Sequence, residues 1–189
     1  MARTEGHCLR RKFAAIIVGA NTVINDDPLL TVRHVEGPNP VRIVLDGDGR
    51  VPLDARIFSE EGRTIVATAV MSEGKETSLR ERDVKVWRLP NGNGKVDLQA
   101  LLPRIAKEGL DSLLIEGGGE TAAAFLESCL VDKVSFFIAP LIIGGRAAIP
   151  AVGGEGARLV SEGLRLKWIK IEWIGEDLLL TGYPEARGV

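Results

Sequence analysis

The sequence is poor in the residues that most often announce chemistry: it has two cysteines, two histidines and one tyrosine in 189 residues. Cys8 and Cys129 lie far apart and neither belongs to a C-x-x-C pair, so no ligand set for a structural zinc is readable and no metal is expected. Nothing in their spacing supports a disulfide, and a reducing cytoplasm is the expected compartment. The zinc deaminase signature, H-x-E with a later P-C-x-x-C, is missing. So is any readable Ser-His-Asp or Cys-His grouping. Aromatic residues make up 5% of the chain and the formal net charge is −2. Neither a base-stacking platform nor a polyanion-binding surface follows from that, so nucleic acid is not an expected partner. Long apolar runs are also lacking. None approaches the ~20 residues that cross a bilayer, and no membrane partner is expected. One mimic exists, because Arg10, Arg11 and Lys12 precede an apolar run from Phe13 to Ala20, as in a short signal sequence. That run is near the lower size limit and no small-residue cleavage pattern follows it. A buried parallel strand explains its β-branched centre better.

What is present is the composition of one soluble domain with a sizeable core, 45% hydrophobic and 26% charged. No internal repeat and no linker divides it. Apolar runs at Ala14–Val18, Val41–Leu45, Thr64–Ala69, Val84–Leu89, Ser112–Ile115 and Val134–Ala139 are short and β-branched, as suits strands covered on both faces. Between them, Asp97–Lys107 is expected to be a helix capped by Asp97, although Pro103 stands inside it. Thr121–Leu130 is expected to be another, with Cys129 at helical spacing from Phe125 and Leu126 and therefore in the core. His7 and His34 are isolated and expected at the surface. Near the end, Lys167–Ile174 and Asp177–Tyr183 flank Gly175-Glu176, a hairpin signal, so the mostly parallel sheet should gain an antiparallel edge. The Gly-rich stretch between Leu141 and Gly163 is expected to be loop.

Three strand-to-turn junctions could carry chemistry. The sharpest is Ile115-Glu116-Gly117-Gly118-Gly119-Glu120-Thr121-Ala122, where a strand ends, three glycines turn and a helix starts. Glycines let a backbone approach a ligand closely, and the free N–H groups of a helix start attract phosphate. Gly117, Gly119 and Ala122 even satisfy G-x-G-x-x-A, but no acidic residue for a ribose follows the next strand, and no Gly-Lys-Ser/Thr makes a Walker A loop. A tight turn without a ligand is the plainer alternative. Glu116 would stand at the mouth of the sheet, either holding a ligand hydroxyl or amino-pyrimidine edge or simply solvated. The second junction runs from Gly19 to Arg33; Arg33 could take a phosphate bidentately, while Asp26 and Asp27 before Pro28 could equally be turn residues. The third, Asp46-Gly47-Asp48-Gly49, is ordinary turn chemistry and does not continue into an EF-hand loop.

Taken together, VGANTVINDDPLLTVR (18–33), NPVRIVLDGDGRVPLDARIF (39–58), IEGGGETAAAFLESCLVDKVSFFIAPLIIGG (115–145) and the closing strands resemble the reductase domain of the bifunctional riboflavin biosynthesis deaminase/reductase. They are equally similar to the stand-alone diaminopyrimidine reductases of that pathway. The resemblance covers nearly the whole chain in order. It implies an α/β, dihydrofolate-reductase-like fold: a mostly parallel central sheet, an antiparallel C-terminal hairpin and helices on both faces. It implies NADPH as cofactor and a pyrimidine ribotide as substrate, a ribosylamino-pyrimidine 5′-phosphate reduced to its ribitylamino form by hydride at C1′. By position, Thr22, Asp26, Gly47, Gly118, Gly119, Glu120, Thr121, Ala122, Ala123 and Ala124 would bind NADPH. Leu30, Arg33 and Glu116 would bind substrate, with Arg33 on its phosphate. The sequence does not identify the proton donor, so the catalytic residues stay unassigned.

The family domain normally opens with a strand and a loop, often S-L-D-G, ahead of the helix that begins here near Thr4. The expectation is thus a single reductase domain over 1–189 without that opening, and without the deaminase half or its activity. A nucleotide-binding remnant that cannot turn over, or a reductase of the same fold acting on a pterin or folate, are the alternatives. The closing hairpin carries Trp168, Ile169, Ile171, Trp173 and Ile174, more apolar surface than one face needs. With the family resemblance this points to a homodimer.

Overall fold

Apolar runs of four to six residues are too short for stable helices and are well suited to strands covered on both faces. The computed structural model, which describes residues 1–59 and 62–185, places them so. The remaining residues of the expected 1–189 domain lie outside the described ones. Strands β1 (Ala15–Gly19), β2 (Val41–Leu45), β3 (Thr64–Thr68), β4 (Lys85–Arg88) and β5 (Leu113–Ile115) are all parallel, in the order β4-β3-β2-β1-β5. Each lies within a residue of its sequence-based bounds. Because side chains alternate along a strand, Ile16 and Val18 of β1 enter one core and Ala15 and Ile17 another.

Helices line both cores. On one side α2 (Ala20–Asp26) and α3 (Glu73–Arg80) contribute Val23 and Leu79. On the other, α4 (Leu98–Lys107) contributes Leu101 and Ile105, and α5 (Gly119–Glu127) contributes Phe125. Asp97 caps α4 as expected, its carboxylate accepting the Ala100 N–H at 3.0 Å. Pro103 sits inside α4 without ending it; burial of Leu101 and Ile105 compensates the hydrogen bond that proline cannot donate. The first helix, α1 (Ala2–Arg10), leads into β1.

The C-terminal strands depart from expectation. The hairpin forms, with β7 (Leu166–Ile174) and β8 (Asp177–Pro184) joined through Gly175 at a φ of 70°. It does not extend the parallel sheet. Instead β8 pairs with β6 (Val134–Ile138), giving a separate antiparallel sheet in the order β6-β8-β7. With that partner β6 is covered incompletely, and Phe137 and Ile138 are exposed.

Two residue-level expectations also fail. Cys129 is exposed rather than in the core. Helix α5 ends at Glu127, and Cys129 turns away with a φ of 56°, so helical spacing from Phe125 no longer applies to it. His7 is buried rather than at the surface, and its ring packs edge-on against His34 with centroids 4.5 Å apart.

Candidate functional site

In a parallel sheet the carboxyl ends of neighbouring strands open on the same side, and a crevice forms where chain connections leave in opposite directions. Here that place is between β1, which is followed by β2 on one flank, and β5, which arrives on the other. The two most suggestive junctions of the sequence, after β1 and after β5, therefore meet. The contact is direct: the Gly118 N–H donates to Thr22 Oγ1 at 3.0 Å across 96 residues. Gly19 approaches so closely that any Cβ on it would collide with the Thr121 hydroxyl.

Gly118 is the N-cap of α5, and no side chain caps the helix. The first N–H groups of a helix have no intrahelical acceptor, so the turn presents donors at a positive dipole end beside Thr22. A Cβ at Gly118 would find only Thr22 Oγ1, at 3.6 Å, whereas one at Gly119 would lie 2.6 Å from the Pro150 carbonyl and 2.7 Å from the Gly153 nitrogen. The two glycines thus do different things. Gly118 is exposed and open toward a ligand, while Gly119 is buried under the loop around 150–154. That loop is held by Gly153 N–H to the Gly119 carbonyl at 2.9 Å and by Gly154 N–H to Glu120 Oε1 at 3.2 Å. Of the remaining run, Ala123 is buried, and Thr121, Ala122 and Ala124 are half-buried.

Asp26 and Gly47 are not drawn into this contact. Asp26 is exposed at the end of α2. The Gly47 carbonyl, after β2, accepts from Ala69 and Val70 N–H groups and from the Thr68 hydroxyl at 2.8–3.2 Å. Between them, Asp27 takes up a left-handed φ of 40° and accepts the Arg56 N–H at 2.8 Å, which makes it a turn residue. Asp46, after β2, likewise accepts the Arg50 and Val51 N–H groups at 2.8 and 2.9 Å.

The second part of the site forms around Glu116. Its carboxylate is gripped by both arms of the Arg10 guanidinium, with Nε donating at 2.8 Å to one oxygen and Nη2 to the other. Arg10 is 14% exposed and Glu116 39%, so the pair is anchored on the inside and open on the outside. Arg10 Nη1 also donates to the Thr31 carbonyl at 3.3 Å. Two residues on, the Arg33 N–H donates to His7 Nδ1 at 3.1 Å, while the Arg33 side chain is exposed. The last turn of α1 thereby gathers Glu116, Thr31 and Arg33. Leu30 is only 3% exposed and its side chain belongs to the core; with a φ of 56° it can offer a ligand only its peptide groups. Burial chiefly, and then Arg10, His34 and Arg33, hold the His7 pKa below its ordinary value, with Glu116 opposing.

Arg10 and His7 were not among the residues singled out in the sequence. Arg10 was absorbed into a basic run resembling a signal sequence, and its signal was the pairing of a helix-end arginine with a strand-end glutamate 106 residues away. Among the described residues no group of three or more His, Cys, Asp or Glu could hold a metal ion, and no helix is long and apolar enough to cross a membrane.

Comparison with known proteins identifies the family. The riboflavin biosynthesis protein RibD of Actinobacillus pleuropneumoniae is 39% identical over 181 residues, covering 95% of this chain and 48% of its own length. The 2,5-diamino-6-ribosylamino-4(3H)-pyrimidinone 5′-phosphate reductase of Methanothermobacter thermautotrophicus is 39% identical over 178 residues, covering 92% of this chain and 81% of its own. The chain thus spans about half the length of the RibD relative and four-fifths of the archaeal reductase. Among solved structures, Acinetobacter baumannii RibD superposes with a TM-score of 0.83 at 26% identity, over 97% of this chain and 50% of that one. The fold is dihydrofolate-reductase-like, as the resemblance implied. The family model of the RibD C-terminal domain matches residues 1–180, and the chain belongs to that family.

Proposed function

We propose that this chain is an NADPH-dependent reductase of riboflavin biosynthesis that converts a ribosylamino-pyrimidine 5′-phosphate to its ribitylamino form. The observation that carries this is the meeting, at the mouth of β1 and β5, of an uncapped glycine turn with a guanidinium-anchored carboxylate. The first suits the phosphates of a dinucleotide and the second suits the amino and hydroxyl groups of a pyrimidine ribotide. Relatives named for this reduction support the reading.

The cofactor, when bound, supplies the hydride. Its phosphates would rest on the N–H groups of the first residues of α5 (Gly119, Glu120), with Gly118, Thr22 and Thr121 beside them. By the family resemblance Asp26, Gly47, Ala122 and Ala124 would complete its surroundings, and buried Ala123 keeps the helix close to the sheet. Glu116, fixed by Arg10, would orient the pyrimidine, Arg33 would hold the 5′-phosphate and Leu30 would contribute peptide groups. The hydride would go to C1′ of the ring-opened imine, and water would supply the proton its nitrogen gains. The enzyme is assigned to the cytoplasm and acts as a homodimer through the exposed face of β7.

The test is substrate-dependent NADPH oxidation with 5-amino-6-(5-phosphoribosylamino)uracil and with its diaminopyrimidinone counterpart. Oxidation with either ribotide but not with dihydrofolate or a dihydropterin is expected. Turnover with neither ribotide, despite NADPH binding, would reduce the chain to a nucleotide-binding remnant.

A further inference from the structure

We propose that His7 is a positioning residue for substrate binding, its neutral imidazole fixing the backbone at Arg33 and releasing it on protonation. This rests on the reading that Arg33 binds the substrate phosphate. His7 is 6% exposed and stands three residues before Arg10 on α1. Its Nδ1 accepts the Arg33 N–H at 3.1 Å, and its ring is wedged edge-on against His34. Arg10, one turn further, donates to the Thr31 carbonyl and grips Glu116. One turn of helix therefore sets the segment 31–33 and the Glu116 carboxylate relative to each other. Arg33 has an exposed side chain, so its location depends on its backbone; His7 accepts the Arg33 N–H itself, and Asn39 Oδ1 accepts the Val32 N–H at 2.7 Å just before it.

The bond requires a neutral ring. An Nδ1 that accepts leaves the proton on Nε2, and a second proton would turn Nδ1 into a donor pointed at a donor. The charged and titratable groups facing the ring are Arg10 from its own helix, Arg33 and His34 from the loop, and Glu116 from the end of β5. Burial and the first three oppose protonation, and Glu116, already engaged by Arg10, favours it. The ring therefore stays neutral near pH 7 and gives up its acceptor only in acid.

The test compares wild type with His7→Asn and His7→Leu. Asparagine places an amide oxygen where Nδ1 stood and does not titrate; leucine removes the acceptor. Calorimetric affinity for 5-amino-6-(5-phosphoribosylamino)uracil is measured from about pH 7.5 to about 5, without cofactor, so that turnover is not needed. His7→Leu should bind about tenfold more weakly at neutral pH, the worth of one ordinary hydrogen bond. His7→Asn should match wild type there. A phosphate monoester itself titrates near pH 6, so the readout in acid is the difference between proteins: wild type should lose more affinity than His7→Asn. The Arg33 amide resonance should move with pH in wild type and stay still in His7→Asn. Arg33→Ala and the dephosphorylated ligand separate the two readings. If Arg33→Ala weakens binding while His7→Leu and the acid limb of His7→Asn match wild type, the positioning role is overturned and the phosphate role stands. If Arg33→Ala binds as wild type does, the phosphate role falls and the positioning role with it.

Discussion

At the scale of single residues, the glycine turn and Arg33 give separable predictions. Gly118→Val should fold, because its Cβ would meet only Thr22 Oγ1 at ordinary contact distance. It should nevertheless bind NADPH at least tenfold more weakly, measured by fluorescence titration, since the branched side chain fills the approach to the N–H donors. Gly119→Ala should do the reverse of folding cleanly: its Cβ would press on backbone of the 150–154 loop, at a cost of about 1–3 kcal/mol in urea unfolding. Arg33→Ala should raise KM for the ribotide by about 10- to 150-fold with a smaller effect on kcat, as loss of one charge-assisted bond to a non-reacting phosphate requires. It should also scarcely distinguish a dephosphorylated substrate; discrimination equal to wild type would refute the role. The sequence suggests these residues because free N–H groups at a helix start and a guanidinium both suit a phosphate. His7 and Arg10 were not, because what matters for them is partners 26 and 106 residues away. Leu30 came from the family resemblance alone, and the fold shows that its side chain belongs to the core.

At the scale of elements, strands were legible because five-residue β-branched runs are covered on both faces and read continuously. Helix α4 was legible from its cap and its apolar spacing despite Pro103. Its cap should matter: Asp97→Ala should cost about 0.5–2 kcal/mol in chemical denaturation, with Asp97→Asn costing much less because the acceptor survives. Helix α2 was hidden. Ala20–Asp26 spans seven residues, includes Thr22 and the β-branched Val23 and Ile24, and is followed by Asp-Pro, so local preference argues for loop. What makes it helical is the burial of Ala20 and Val23 against the sheet. Helix α3 was overlooked, although Ser72 caps it by accepting the Lys75 N–H at 3.4 Å. The hairpin was legible from Gly175-Glu176, but its attachment to β6 was not, because pairing partners of an antiparallel strand leave no mark in its own periodicity.

At the scale of the whole molecule, the antiparallel sheet carries the assembly prediction. Trp168, Ile169, Ile171 and Trp173 of the outer strand β7 are between 53% and 72% exposed, and the loop before it exposes Leu141, Ile142 and Ile143. Apolar surface of that extent on an edge strand is ordinarily covered. Light scattering at micromolar concentration should give a dimer, and Ile171→Lys should give a folded monomer; a monomeric wild type would refute the assignment. The long reach of the site's contacts has a further consequence, for the order of folding. β7 and β8 are neighbours in the chain and can pair early, whereas Ala15 must find Leu113 before β5 docks on β1. Closing so long a loop is entropically late. The bonds Thr22–Gly118 and Arg10–Glu116 both span that same closure, so neither half of the crevice exists until it is complete. A nascent chain on the ribosome can therefore hold no dinucleotide until α5 has emerged. A ligand touching both halves would act as a clasp on the final folding step, slowing the undocking of β5 more than any opening of the hairpin.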